Sequence, residues 1–234
     1  MTTVELEKIT SRDADKRRYD DACGTAHALE LIGERWALLV LRELMLGPRR
    51  FSELRADLPG ISANVLTQRL TDLEQRGLVR RRRLPPPASV QVYEATQWGL
   101  EAEPIVQALG RWAARSPRHD PTLPISGVSI LLSFRTMISA KRARGIDARF
   151  GFRFGPDEYV ARLRKGEIRI TREPATRCDV VFAAAPTALA AVVYGKQPLD
   201  LIEVTGDRSL AERFTKLFVL PPKVAEVEAE VPRG

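Results

Sequence analysis

The sequence predicts an α+β fold, and three observations carry that reading. In the first half, leucines recur at helical spacing on either side of a Pro-Gly turn. A run of four arginines, Arg80 to Arg83, then leads into three prolines and returns as a short alternating stretch. Beyond residue 125, short apolar–polar alternations are interleaved with helical stretches. The chain has 234 residues, which suits two units at about 100–200 residues each.

Taken in order, residues 1–20 are polar and charged and read as an arm or an extra helix. Asp21 to Ile32 reads as a helix with Ala26, Leu29 and Ile32 facing inward, broken by Gly33. Arg35 to Leu46 is apolar nearly all round and is expected to be the central core helix. Gly47-Pro48 ends it, and Arg49 and Arg50 precede a short helix with Leu54 and Leu58 on its apolar side. The Pro59-Gly60 turn leads to a second helix, Ser62 to Arg76. Ser62 suits an N-cap and Gly77 suits a stop. Leu66, Leu70 and Leu73 fall at i, i+4 and i+7 and share a buried stripe.

The opposite face of that helix carries Asn64, Gln68, Thr71 and Gln75. Neutral hydrogen-bonding side chains on the exposed side of a helix suit base edges in a major groove, where an amide pairs bidentately with adenine. A polar face that only meets water is the competing reading, and the flanks favour the groove. Leu78 to Leu84 and Val90 to Glu94 form a hairpin with a stiff Pro85-Pro86-Pro87 tip, and its arginines are placed to meet phosphates. Residues 49–83 hold nine Lys/Arg against four Asp/Glu, whereas residues 1–48 hold seven against nine. Basicity is therefore concentrated on this segment. The base-reading candidates are Ser62, Asn64, Thr67 and Gln68. The phosphate candidates are Arg49, Arg50, Arg69, Arg81, Arg82 and Arg83.

Thr96 caps a helix expected to reach Arg115, with Ile105, Leu109 and Trp112 along one face. Residues 116–124 hold three prolines and read as a linker. A helix at Val128 to Ser139 follows. Strands are then expected at Arg149 to Phe154, Glu158 to Arg164 and Glu167 to Thr171, with Lys165-Gly166 turning between the last two. A strand at Asp179 to Ala184, a helix at Pro186 to Tyr194, a strand near Ile202 to Thr205 and a helix at Ser209 to Phe218 complete the unit. Phe150, Phe152 and Phe154 alternate with polar or small residues and line either a packed core or an apolar pocket, which look identical in sequence. Residues 221–234 read as a tail.

Two motif sets resemble known families. Cys23, LELIGERWALLVLREL, GPRRFSEL, LPGIS, VLTQRLTDLEQRGLV and the Tyr93-Glu94-Ala95-Thr96 run, within residues 21–115, resemble HxlR-type winged helix-turn-helix regulators. That resemblance implies a homodimer on double-stranded DNA, built through the N-terminal helix and the helix ending near Arg115. FRFGPDEYVARLRKGEIRI, DVVFAAAPTALAAVVYGK and VTGDRSLAERFTKLF, within residues 125–220, resemble the SCP2 sterol-carrier-like fold. It implies an apolar interior suited to a hydrophobic small molecule as effector; otherwise that unit only supports the dimer.

Other classes fit less well. His27 and His119 are the only histidines, no Cys/His cluster has zinc spacing, and no phosphate loop or nucleophile elbow is present. An enzyme, a metal site and a cofactor are therefore not expected. No apolar run suits a bilayer and the N-terminus has no apolar signal segment, so a cytoplasmic protein with no membrane partner is expected. Cys23 lies at a helix start where the macrodipole favours a thiolate, while Asp20 and Asp21 oppose it. Some members of the resembled family sense oxidants through a cysteine here, which leaves a thiol-based redox regulator as one alternative. A carrier of hydrophobic ligands with a docking winged-helix unit is another.

Overall fold

Leu66, Leu70 and Leu73 are all buried, and the helix that bears them forms because both ends are specified by sequence. A computed structural model describes residues 19–225; residues 1–18 of the expected arm and 226–234 of the expected tail lie outside them. The N-terminal half comprises α1 (Gly24–Ile32), α2 (Ala37–Glu43), α3 (Phe51–Asp57), α4 (Ala63–Gln75), β1 (Val79–Arg83), β2 (Gln91–Ala95), α5 (Gln97–Leu100) and α6 (Glu103–Ala113). Ser62 caps α4, its hydroxyl accepting from the Val65 amide at 3.2 Å. Gly60 in the turn before α4 and Gly77 just after it have φ of +91° and +74°, a region costly for a side chain.

Core helix α2 buries Ala37, Val40 and Leu41 and packs against α3, α4 and α6. It is shorter than the apolar run implies: Trp36 turns left-handed at φ +77° before it, and Leu44 is already its C-cap. α1 begins at Gly24 and buries none of its residues; Leu29, expected inward, is 49% exposed. The single helix expected from Thr96 to Arg115 is two, α5 and α6, separated by a short turn before Pro104 at the start of α6. Along α6, Ile105, Leu109 and Trp112 face outward, Trp112 being 72% exposed.

The C-terminal half comprises α7 (Gly127–Met137), α8 (Ala140–Ala143), β3 (Ala148–Phe154), β4 (Asp157–Arg164), β5 (Glu167–Thr171), β6 (Val180–Ala183), α9 (Pro186–Val193), a 3₁₀ turn at Leu199–Leu201, β7 (Glu203–Gly206) and α10 (Arg208–Thr215). Its sheet has the order β5-β4-β3-β6-β7. The β3–β6 pair is parallel, with Phe150 opposite Val180, and the other pairs are antiparallel. Lys165 and Gly166 turn between β4 and β5 at φ of +54° and +82°, a hairpin conformation that matches strand twist.

Phe150, Phe152 and Phe154 are buried by other rings. Phe214 of α10 lies 4.5 Å from Phe150, 5.7 Å from Phe152 and 5.2 Å from Phe182 between ring centroids. Phe134 of α7 stacks on Phe218 at 4.4 Å. The Phe154 ring packs so closely on Gly127 that a Cβ there would lie 2.6 Å from it. Of the two readings of this stripe, a packed core and the wall of an apolar pocket, the interdigitated rings favour the packed core.

The buried side chains of both halves form one connected cluster. Residues 116–124 contain no helix or strand. A strap of chain beyond α10 runs back along them: the Val224 amide donates to the Arg115 carbonyl at 2.9 Å and Lys223 Nζ to the Ser116 carbonyl at 2.8 Å.

Candidate nucleic-acid interface

The exposed face of α4 presents Ser62, Asn64, Thr67 and Gln68 to solvent. Its buried stripe fixes the helix against α2, so these side chains have a defined direction. Gln68 is further oriented: its Nε2 donates to Asp72 Oδ1 at 2.7 Å. An amide nitrogen has two hydrogens, so one donor and the carbonyl acceptor of Gln68 stay available for a base edge. Asp72 had not been singled out from sequence; its i+4 spacing from Gln68 is the signal that could have found it.

Beside α4 stands the β1–β2 hairpin, in the register Arg80↔Glu94 and Arg82↔Val92. Alternation puts Arg80 and Arg82 on one face, where Glu94 accepts from both, at 2.6 and 2.9 Å. Arg81 and Arg83 occupy the other face. Arg81 Nε donates to Glu74 Oε2 of α4 at 2.8 Å, and this hydrogen bond holds the Glu74 carboxyl below its ordinary pKa. Arg83 Nε donates to the Ser89 carbonyl at 3.3 Å. A cleft of about 320 Å³ is lined by Arg81, Arg82, Arg83, Ser89 and Gln91. Exposed pairs of this kind are worth about 0–1 kcal/mol, so a phosphate can displace the carboxylates.

The six arginines named as phosphate contacts separate by burial. Arg50, Arg81, Arg82 and Arg83 are exposed. Arg49 is not: it is 2% exposed, its guanidinium held by Asp57 at 2.5 Å and Asp157 at 2.6 Å. Arg69 is also buried, with Glu34 at 3.0 Å and Asp72 at 3.4 Å. A guanidinium sealed among carboxylates is not offered to a phosphate, so both belong to the scaffold. Arg80, exposed on the hairpin, joins the cationic edge instead.

Cys23 is exposed at the N-cap of α1. Hydrogen bonds from the Thr25 backbone and side chain hold its thiol below the ordinary value. His27 is turned toward Glu30, with 2.9 Å between Nδ1 and Oε2. Cys178 differs: it is half-buried, and burial pushes its thiol up. Among the described residues no group of three or more His, Cys, Asp or Glu could hold a metal, and no helix is long and apolar enough to cross a membrane.

A capped helix behind a short turn, presenting neutral polar residues beside an arginine-bearing antiparallel hairpin, defines a winged helix-turn-helix DNA-binding protein. The model of the HxlR-like helix-turn-helix family matches residues 31–120. The chain is 36% identical to the uncharacterized HTH-type transcriptional regulator YvaP of Bacillus subtilis over 86 residues, covering 37% of this chain and 80% of that one. It is 37% identical to the HTH-type transcriptional regulator YodB of the same organism, covering 37% and 77%. Against the reduced form of YodB, a solved structure, the identity is 33%, the cover 43% and 100%, and the TM-score 0.38. The chain belongs to the HxlR family of helix-turn-helix transcriptional regulators. Residues 121–225 lie beyond the matched region.

Proposed function

We propose that this regulator acts as a homodimer in which residues 21–115 read DNA and residues 125–220 form an SCP2-like supporting unit. Asn64, Thr67 and Gln68, with Ser62 at the helix start, meet base edges; Arg50 and Arg81 to Arg83 hold phosphates. The observation that carries this reading is the solvent-facing amide side of α4 beside the exposed arginines of β1. Dimerisation is supported by the Ile105, Leu109 and Trp112 stripe of α6 and by Leu29 of α1, which the other described residues leave exposed, an arrangement otherwise unfavourable for a monomer. A two-fold pair would place its α4 helices on successive major grooves, about 34 Å apart.

The order of the five-stranded sheet and its covering helices support the sterol-carrier-like reading of the second unit. Because rings fill its interior, we assign that unit to support and do not assign it an apolar effector; lipid extraction followed by mass spectrometry of the purified protein tests this, and a stoichiometric lipid overturns it. The test of the main reading is selection of bound duplexes from the source genome by purified protein, expected to return a two-fold symmetric site. Selection of no sequence above background would sink it.

A second reading concerns Cys23, whose exposure and lowered thiol favour oxidation there. Under it, diamide changes DNA affinity in the wild type and leaves Cys23→Ser unchanged. Equal affinity with and without diamide in both proteins ends it.

A further inference from the structure

We propose that Asp157, from outside the matched family region, is a positioning residue for DNA binding and acts through Arg49. The proposal rests on the reading that α4 and the hairpin meet DNA. Arg49 sits at a junction. Its amide donates to the Tyr93 carbonyl at 2.9 Å and its carbonyl accepts from the Tyr93 amide at 2.8 Å, so its main chain forms a third, one-residue strand on the wing. The next residue, Arg50, is the N-cap of α3, and its amide donates to Glu53 Oε2 at 2.9 Å. One short stretch of backbone therefore sets the wing against the first helix of the helix-turn-helix.

That stretch is gripped from the C-terminal half at two points. Asp157 Oδ2 accepts from Arg49 Nη1 at 2.6 Å, while Asp157 Oδ1 accepts from Arg172 Nη2 at 2.5 Å. Arg172 Nη1 in turn donates to the Pro48 carbonyl at 3.0 Å. The Arg172 guanidinium also lies 5.5 Å over the Tyr159 ring, which keeps it in place. Asp157 is presented by the two-residue hairpin between Phe154 and Asp157, where Gly155 takes φ +60°. On the other side of Arg49, Asp57 at the end of α3 supplies the second carboxylate. Two guanidinium groups and two carboxylates balance. Without Asp157 the buried guanidinium keeps one carboxylate for its charge, and a buried charge stripped of a partner is strongly unfavourable.

Further polar ties between the halves fall elsewhere. Ser126 donates to Glu43 of α2 at 2.9 Å, and Arg135 reaches Glu103 of α6 at 2.6 Å. The Asp157 grip is the tie that reaches the wing and α3, so it bears on the pose of the DNA-facing elements.

The test uses the full chain and the duplex selected by the wild type, with amide exchange measured at Arg49 and Tyr93. In Asp157→Asn both amides exchange about tenfold faster, as expected when a local tie is released. Affinity for the selected duplex falls about tenfold, and the slope of log affinity against log salt stays that of the wild type, because no phosphate contact is removed. Asp157→Glu, which keeps the charge, restores most of both losses. Phe182→Leu, which loosens the C-terminal core away from this network, leaves the two amides at wild-type rates. Should Asp157→Asn not fold, Arg172→Gln, which releases Pro48 and leaves Arg49 paired, is expected to speed the same amides. Wild-type exchange in whichever variant folds, or undiminished affinity in Asp157→Asn, overturns the proposal alone. A wild type that selects no duplex overturns the reading beneath it, and is recognised separately because the exchange rates need no DNA.

Discussion

Gln68 and Glu43 show how much one side chain's surroundings decide. Gln68 is exposed and half-engaged by Asp72; under the proposed base reading, its replacement by alanine is expected to remove a contact worth about 1–3 kcal/mol and to spare the phosphate contacts. Gel-shift titrations are expected to show Gln68→Ala losing that much on the selected duplex and far less on random DNA. Equal loss on both would contradict base reading. Glu43 is fully buried, and burial pushes its carboxyl above the ordinary value despite Arg42 and the Ser126 hydroxyl. The folded state therefore holds that proton more tightly than the unfolded chain. The stability this gives is present below the unfolded pKa, about 4.3, and is lost as pH rises through the folded value. Glu43→Gln keeps an acceptor for Ser126 and never ionises. Thermal melts are expected to place it above the wild type at pH 7, with the gap closing toward pH 4. Residues such as these were only partly legible. Arg49 and Arg50 are adjacent and identical, yet one is sealed and one exposed; of the two carboxylates that seal Arg49, Asp57 is 8 positions away and Asp157 is 108, and the second is beyond the reach of any local pattern.

Among the elements, legibility followed periodicity. The leucine spacing, Ser62 and Gly77 placed α4 to within a residue at each end, because cap chemistry and burial agree there. The strands of the second half were legible from alternation and from the Lys165-Gly166 turn. The break between α5 and α6 was missed, since Pro104 also sits comfortably in a first helical turn and so gives no clear stop. The hairpin β1–β2 carries its own prediction. Replacing Arg81 and Arg82 together by alanine is expected to weaken binding to all duplexes alike and to reduce the salt slope by about one to two units, read from affinities across a salt series. A slope equal to that of the wild type would remove the wing from the contact surface.

For the whole molecule, the stripe on α6 leaves its cover undecided in the sequence, because its spacing is the same whether the covering surface comes from this chain or another copy. Light scattering is expected to find the wild type as a dimer and Trp112→Glu as a monomer that still folds, since Trp112 is 72% exposed and its loss leaves the internal core intact. A wild-type monomer would end the two-fold reading. The aromatic interior of the second half was visible as a stripe of phenylalanines, but not as filled: that depends on Phe134, Phe214 and Phe218 meeting it from other elements.

The strap at Val219 to Val224 alters what proteolysis would do. Residues 117–124 are exposed, and Arg118 offers trypsin a cleavage point. The segments on either side of such a nick remain joined by the Arg115–Val224 bond and by Glu103–Arg135. A nicked preparation would thus run as two bands in detergent yet travel through a sizing column as one particle.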